Sequence, residues 1–283
     1  MKTSLKDIAE TLKLSKTTIS WVLSGKGDEK GISLATQEKV FQCAKQLNYQ
    51  PNLSGTIGLI IPDITDSFYS KVARSIEKEA ETQGYSLMIC SSESEIEREN
   101  RMIRLFKAKQ VDGIIVAPTK VSKIEIQNLV KEGYPLVLFD RYFPEMQTNY
   151  IIIDNEGSSY ELVKKMIDNG SSKIAIITTN PHLRTMNMRR EGYARALIEA
   201  NLPVDPDLYG EVTFVDYEKN VFKTLDQIFS KVPDVDGFFF TTHILALEAF
   251  RYFYEKGINI NKGYELACIH GVSAFRVLAP NIN

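Results

Sequence analysis

The sequence predicts an α/β protein: a two-lobed body of doubly wound parallel sheets behind a small all-helical head. Three observations carry that prediction. From Thr56 onward, short continuous apolar runs alternate with amphipathic stretches. Unbroken apolar runs mark strands buried on both faces, as in parallel sheets covered by helices. Before that point apolar residues recur at helical spacing instead. Finally, 283 residues with 43% hydrophobic content are enough for more than one core.

The head has three helical segments. Leu5, Ile8, Ala9 and Leu12 share one face, with Ser4 placed to cap and Asp7 three positions on, as in a capping box. After a short break at Leu14 and Ser15, a second helix opens at Ser15 or Lys16 and turns Ile19, Val22 and Leu23 inward. Gly25 and Gly27 end it. After a loop from Lys26 to Ile32, Ser33 caps a third helix carrying Leu34, Val40, Phe41, Ala44 and Leu47. The run Asn48-Tyr49-Gln50-Pro51 stops it. Two short helices joined by a tight turn and braced by a third form a helix-turn-helix unit.

The second helix has an unusual outer face: Lys16, Thr17, Thr18, Ser20, Trp21 and Ser24. Hydroxylated residues are poor helix formers, so a merely solvated face is a weak explanation for Thr17, Thr18 and Ser20 together. Such side chains suit phosphate oxygens and base edges in a major groove about 12 Å wide. Trp21 is either a partly buried anchor between head helices or an apolar contact to a base edge.

Charge supports that division of labour. The chain has a formal net charge of −2. Residues 1–50 hold eight Lys against five Asp/Glu, a net of +3, and the remainder holds 26 basic against 31 acidic residues, a net of −5. A basic head on an acidic body places any nucleic-acid contact in the head. Cys43, Cys90 and Cys268 show no metal-ligand spacing and read as reduced thiols packed as small apolar residues. No apolar stretch approaches the ~20 residues of a membrane helix, and the N-terminus is too polar for a signal peptide. A cytoplasmic location is expected.

In the body the apolar runs are 56–62, 86–90, 113–117, 135–139, 150–154, 173–177, 210–214, 237–240 and 265–269. Helical stretches lie between most of them, at 68–84, 96–109, 157–169, 187–200, 218–230 and 244–256. Nine strands and six helices exceed one small core, so two lobes with a ligand cleft between them are expected. Glu93, Glu95, Glu97 and Glu99 read as a solvated helix start.

The run LKDIAETLKLSKTTISWVLSGKG, followed by ATQEKVFQCAKQLNYQPN, closely resembles the DNA-binding head of the lac/gal repressor (LacI/GalR) family across residues 3–53. Ala9, the run Ser15-x-Thr17-Thr18-Ile19-Ser20 and the closing Tyr49-x-Pro51-Asn52 carry the match. From residue 56 onward the chain resembles that family's effector-binding body, which shares its fold with periplasmic sugar-binding proteins. Ile57-Gly58-Leu59-Ile60, Pro62-Asp63, Asp66-Ser67-Phe68-Tyr69, Val111-Asp112-Gly113, Asp140-Arg141, Asp154-Asn155 and Arg189-Arg190-Glu191-Gly192-Tyr193 carry that part.

The resemblance implies that Lys16, Thr17 and Trp21 sit where family members read bases. It places Ser15, Thr18, Ser20 and Ser24 where phosphates are held. Trp21 is atypical there, so no operator sequence can be borrowed. In the body it puts Phe68, Tyr69, Arg189 and the surroundings of Asp140 and Asp154 at the cleft. Aromatic faces suit sugar-like ligands, and an arginine fork suits vicinal hydroxyls, carboxylates or phosphate. Core packing for Phe68, a surface charge for Arg189 and helix capping for Asp140 and Asp154 remain open alternatives. His243 and His270, each after a strand, are either ligand contacts or structural histidines; Val272 occupies the place of a family aspartate.

The sequence departs from the family twice. Ser54 runs straight into Gly55-Thr56, where the family has a hinge that wedges the minor groove open. The chain also ends at Asn283, before the family's last crossover. Both stretches are expected to belong to the natural protein, with an intact mass above that of 283 residues.

The expected organisation is therefore a helix-turn-helix domain over 1–50, a shortened hinge over 51–55 and a two-lobed effector-binding and dimerisation domain over 56–283. The expected function is that of a homodimeric, sequence-specific DNA-binding regulator, a repressor by family default. Its expected partners are double-stranded operator DNA and a sugar or sugar derivative, with no cofactor, metal or membrane partner. An enzyme is disfavoured: no G-x-S-x-G elbow, P-loop, G-x-G-x-x-G or HExxH occurs. A solute-binding transport protein would suit the body, but the helical head and polar N-terminus argue against it.

Overall fold

The computed structural model describes residues 3–47, 49, 53–119, 123–213, 215–260, 262–279 and 282–283. They form two compact units. One comprises the residues up to Thr56 with Gln110–Asp112; the other comprises Ile57–Lys109 and Gly113–Asn283.

The first unit is built on helices α1 (Leu5–Leu12), α2 (Lys16–Leu23) and α3 (Leu34–Gln46). At the start of α1 the Ser4 backbone N–H and hydroxyl both donate to the Asp7 carboxylate. Lys13 adopts the left-handed conformation that ends the helix. Ser15 opens α2 by accepting from the Thr18 N–H at 3.0 Å, and Ser33 opens α3 by accepting from the Thr36 N–H at 3.3 Å. The core is Ile8, Ala9, Ile19, Val22, Val40, Cys43 and Ala44, rimmed by Leu5, Leu12, Leu14, Leu23 and Leu47.

Two α3 assignments need correction. Leu34 and Phe41 are exposed, and Cys43 faces inward instead. The spacing 40, 43, 44 fixes the buried stripe, and Phe41 lies off it. The expected stop at Asn48, Gln50 and Pro51, and the Asn52 that follows, lie outside the described residues. Leu53 and Ser54 form no helix. The Ser54 and Gly55 N–H groups donate to the two Asp112 carboxylate oxygens, each at 2.8 Å. That double bond anchors the segment leading into the first strand.

The second unit has two lobes. In the first, strands β1 (Thr56–Ile61), β2 (Ser86–Ser91), β3 (Gly113–Val116), β4 (Leu136–Phe139) and β5 (Asn149–Ile151) form a sheet in the order β2-β1-β3-β4-β5. Helices α4 (Ser67–Thr82), α5 (Ile96–Ala108) and α6 (Lys123–Lys131) belong to it. In the second, β6 (Ile174–Thr179), β7 (Tyr209–Val212), β8 (Gly237–Phe240) and β9 (Glu265–Cys268) are ordered β7-β6-β8-β9. Helices α7 (Asn155–Asp168), α8 (Arg184–Glu199), α9 (Tyr217–Lys231), α10 (His243–Glu255) and the short α11 (Phe275–Leu278) complete it. The pairs β1/β3, β3/β4, β4/β5, β6/β7, β6/β8 and β8/β9 are all parallel.

The period of two along each strand explains the continuous apolar runs. Ala175 and Ile177 of β6, with Phe238 and Phe240 of β8, face the α9/α10 core. Ile174, Ile176 and Phe239 face the opposite core with α7 and α8. Both faces are buried, so both residue sets must be apolar.

Two sequence expectations shift, and part of a third lies outside the described residues. β5 is shorter than 150–154 and its residues are exposed. Helix α6 was not anticipated: with nine residues, it buries only Ile126 and Leu129 fully. Phe214, expected to close the strand at 210–214, lies outside the described residues.

In each sheet the chain steps from its first strand to one side, then returns to the other. That reversal creates a switch point at the carboxyl ends of β1/β3 and of β6/β8, where open α/β sheets hold ligands. Close helix packing supports the second lobe: a Cβ at Gly192 of α8 would run into the Glu156 carbonyl oxygen of α7. Gly192→Ala should therefore destabilise the protein by about 1–3 kcal/mol despite alanine's better helix propensity. A lower urea midpoint is expected, and an unchanged or higher one contradicts the packing.

Candidate functional site

Two surfaces carry the chemistry anticipated from sequence. The first is the outer face of α2. Ser15, Lys16, Thr17, Ser20, Trp21 and Ser24 are exposed and Thr18 is half-buried, while Ile19 and Val22 between them are buried. Local bonds already engage some hydroxyls: Ser15 Oγ lies 2.8 Å from Thr18 Oγ1, and Ser24 Oγ donates to the Trp21 carbonyl at 3.1 Å. Trp21 is 37% exposed, and the Lys30 ammonium lies 5.5 Å from its ring centroid. The tryptophan is thus partly buried with one side open to solvent, which fits either reading.

The second surface is a cavity of about 460 Å³ between the two lobes. Carboxyl ends of strands from both sheets converge on it. Pro62 and Asp63 follow β1, Glu93 follows β2, Asp140 follows β4, Thr179 ends β6, Thr242 follows β8 and His270 follows β9. Of the seven body residues anticipated from sequence, Phe68, Tyr69, Asp140, Arg189, His243 and His270 line this cavity. Asp154 is the exception: it is exposed and caps α7, accepting from the Gly157 N–H at 2.9 Å.

Arg189 is 1% exposed, which removes the surface-charge alternative. Its Nε donates to Asn155 Oδ1 at 2.8 Å and its NH1 to the Thr241 carbonyl at 2.5 Å. Burial pulls its pKa down, while Asp140 opposes that shift. Across the cavity, the Tyr69 hydroxyl donates to Asp140 Oδ2 at 2.7 Å, and Arg141 Nε lies 3.7 Å from the same oxygen. Burial disfavours the Arg141 charge, but Tyr69, Asp140 and Glu99 around it raise its pKa overall. Burial also raises the Tyr69 pKa, keeping the phenol protonated.

Among the described residues, contacts that join the lobes directly include a hydrogen bond between Arg184 and Tyr142 and two at the cavity itself. His243 Nε2 lies 3.3 Å from Asp66 Oδ1, and the Phe68 ring stacks on His270 at 4.2 Å with an interplanar angle of 17°. Asp66 also caps α4 through the Phe68 N–H at 2.7 Å. Burial raises the Asp66 pKa, but the bonds from His243 and the Phe68 amide outweigh it and the pKa falls.

Several residues here were not anticipated from sequence. Asn155 and Thr241 hold Arg189, and Asp63, Asp66, Arg141, Thr179 and Asn180 also line the wall. Glu93 and Glu95 face the cavity rather than forming only a solvated helix start. Glu99 is fully buried and accepts from the Thr119 N–H at 2.7 Å. Among the described residues, no group of three or more His, Cys, Asp or Glu could hold a metal, and no helix is long and apolar enough to cross a membrane. Cys43 and Cys268 are buried free thiols and Cys90 is half-buried.

Burial lowers the His270 pKa to about 4, with Arg189 and His243 pushing the same way and Asp140 and Asp66 opposing. The unfolded chain takes up that proton near pH 6.5, whereas the folded chain resists until about pH 4. Stability from this group is therefore complete above about pH 6.5 and falls as the pH drops toward 4, with a loss of about 2 kcal/mol by pH 5. His270 has φ 70°, a conformation asparagine tolerates. His270→Asn should flatten the fall in urea-derived stability between pH 7.5 and 5 by about 2 kcal/mol. An unaltered acid slope would assign it to other groups.

Comparison with known proteins places this geometry in a family. Residues 4–52 match the family described as bacterial regulatory proteins, lacI family. Residues 54–279 match periplasmic binding proteins and sugar binding domain of LacI family. The ribose operon repressor of Halalkalibacterium halodurans is 29% identical, covering 99% of this chain and 84% of that protein. Catabolite control protein A of Priestia megaterium is 27% identical, covering 100% and 86%. Among solved structures, the transcriptional regulator CelR-cellobiose complex superposes with a TM-score of 0.72 at 22% identity, covering 99% of this chain and 86% of that one, which establishes the shared fold. The chain belongs to the lacI family of bacterial regulatory proteins, which are DNA-binding transcription regulators and not enzymes.

Proposed function

We propose that this regulator is a cytoplasmic, homodimeric repressor whose affinity for one operator is set by a sugar or sugar derivative bound between the lobes. The observation that carries this reading is the interlobe cavity, on which six residues anticipated as effector contacts converge from both sheets. Phe68, Tyr69, Asp140, Arg189, His243 and His270 are its proposed contacts. Asp154 acts there only through its neighbour Asn155, which holds Arg189. Ribose and cellobiose, named for two similar proteins, set the chemical neighbourhood of the effector.

On DNA, Lys16, Thr17 and Trp21 are the proposed base readers, and Ser15, Thr18, Ser20 and Ser24 the phosphate contacts. The buried stripe of α2 supports this reading by leaving Ser15, Lys16, Thr17, Ser20, Trp21 and Ser24 exposed. A dimer presents two such helices to a two-fold related site. A ligand that prefers one lobe arrangement shifts operator affinity by its differential binding, typically ~1–3 kcal/mol.

The test is fluorescence anisotropy of the full chain on fragments from its own upstream region, across a salt series, with and without a sugar panel. Tight binding to one near-palindromic fragment, changed by one sugar, is expected. Uniform weak binding with only a phosphate salt slope would overturn the reading. Within the same assay Lys16→Ala should cost about 1–3 kcal/mol on the tight fragment and much less elsewhere. Equal losses on every fragment would make Lys16 a phosphate contact.

A further inference from the structure

Resting on the effector-site reading above, we propose that the interlobe cavity selects an uncharged, hydroxyl-rich sugar and rejects the phosphorylated or carboxylated form of the same skeleton. Charge is the first argument. Asp63, Asp66, Glu93, Glu95 and Asp140 give the wall five carboxylates, against the guanidiniums of Arg141 and Arg189, the Arg98 guanidinium paired with Glu93 from outside it, and no lysine. Both wall guanidiniums are engaged. Arg141 lies beside Asp140, and Arg189 spends its Nε and NH1 on Asn155 and the Thr241 carbonyl. An entering anion would therefore meet net negative charge, with Asp66 and Asp140 on the inner wall and Asp63, Glu93 and Glu95 at its solvent-exposed rim.

Helix starts offer little relief. Helix N-termini bind anions through free amides, but Asp66 caps α4 and Thr242 caps α10. The starts of α5 at Glu95 and α8 at Leu183 lack side-chain caps, but the first is itself a carboxylate and the Arg184 that follows the second is turned to Glu191.

Hydrogen-bond capacity is the second, independent argument. His243 is 5% exposed; its Nε2 faces Asp66 and its Nδ1 is buried with no partner. His270 Nε2 is likewise buried without a partner. The wall thus combines carboxylate acceptors with two partnerless imidazole nitrogens, which a hydroxyl can meet as donor or as acceptor. Sugar hydroxyls donate, whereas phosphates and carboxylates at neutral pH mainly accept. The volume of about 460 Å³ lies within the ~300–1,000 Å³ range of small-molecule sites, and the ring faces of Phe68 and His270 suit the C–H face of a sugar.

The experiment is isothermal titration calorimetry of the full chain with matched sets: ribose and ribose 5-phosphate, glucose, glucose 6-phosphate and glucuronate, cellobiose and cellobionate. For any skeleton that binds, the neutral sugar should be tighter than its anionic partner by more than about tenfold. The double variant Glu93→Gln/Glu95→Gln should narrow that ratio. An anionic member that binds as tightly as its neutral partner overturns the proposal, and if it also shifts DNA affinity the effector reading survives. A neutral sugar that binds selectively without shifting DNA affinity supports the selectivity and overturns the effector reading. Binding by no member of any set overturns both.

Discussion

A buried guanidinium organises the second lobe. Arg189 of α8 reaches the first residue of α7 and the carbonyl that follows β8, so three elements meet on one charge. Burying such a charge costs several kcal/mol unless its donors are satisfied. The segments that satisfy it are therefore held in place at the carboxyl edge of the sheet. Asp140 contributes across the interlobe gap, opposing the desolvation that would otherwise lower the Arg189 pKa further. The wall that ligand would meet is fixed by the same interactions that keep the charge tolerable.

The first lobe answers with its own buried polar group. Tyr69, Asp140 and Arg141 form a connected set, and Glu99 adds a carboxylate behind them. Polar networks of this kind hold geometry well when every member is satisfied. Between the two walls the direct ties among the described residues include a histidine–aspartate contact, one ring stack and the Arg184–Tyr142 hydrogen bond. Side-chain ties of this kind are what a ligand between the lobes can reinforce or replace, which suits a two-state element.

Much of this was legible in the sequence, for physical reasons. Continuous apolar runs reveal doubly covered strands because both faces of each strand must be buried, as Ile174–Thr179 and Gly237–Phe240 show. Hydroxyls beside an inward Ile19 and Val22 reveal the α2 face because such residues serve a helix poorly. Other features depend on contacts far apart in sequence. Glu99 sits in a charged run, and only its bond to the Thr119 amide explains its burial. Nothing local pairs Phe68 with His270, or Asp66 with His243. Asp154 looked equally suited to a cleft wall and a cap, and the Gly157 amide decides for the cap. Arg189 had a readable signal: it shares its helical phase with Met186, Tyr193 and Ala196, all buried.

The most direct measurement of the central claim, that the cavity governs the head, uses Trp21, the only tryptophan in the sequence. Its emission reports α2 alone. The protein bound to its tight upstream fragment would be titrated with the sugar that calorimetry identifies. A saturable change of Trp21 emission is expected at the concentrations that fill the cavity, absent when Arg189→Lys removes that binding. Full occupancy of the cavity with unchanged Trp21 emission and unchanged DNA affinity would contradict that claim.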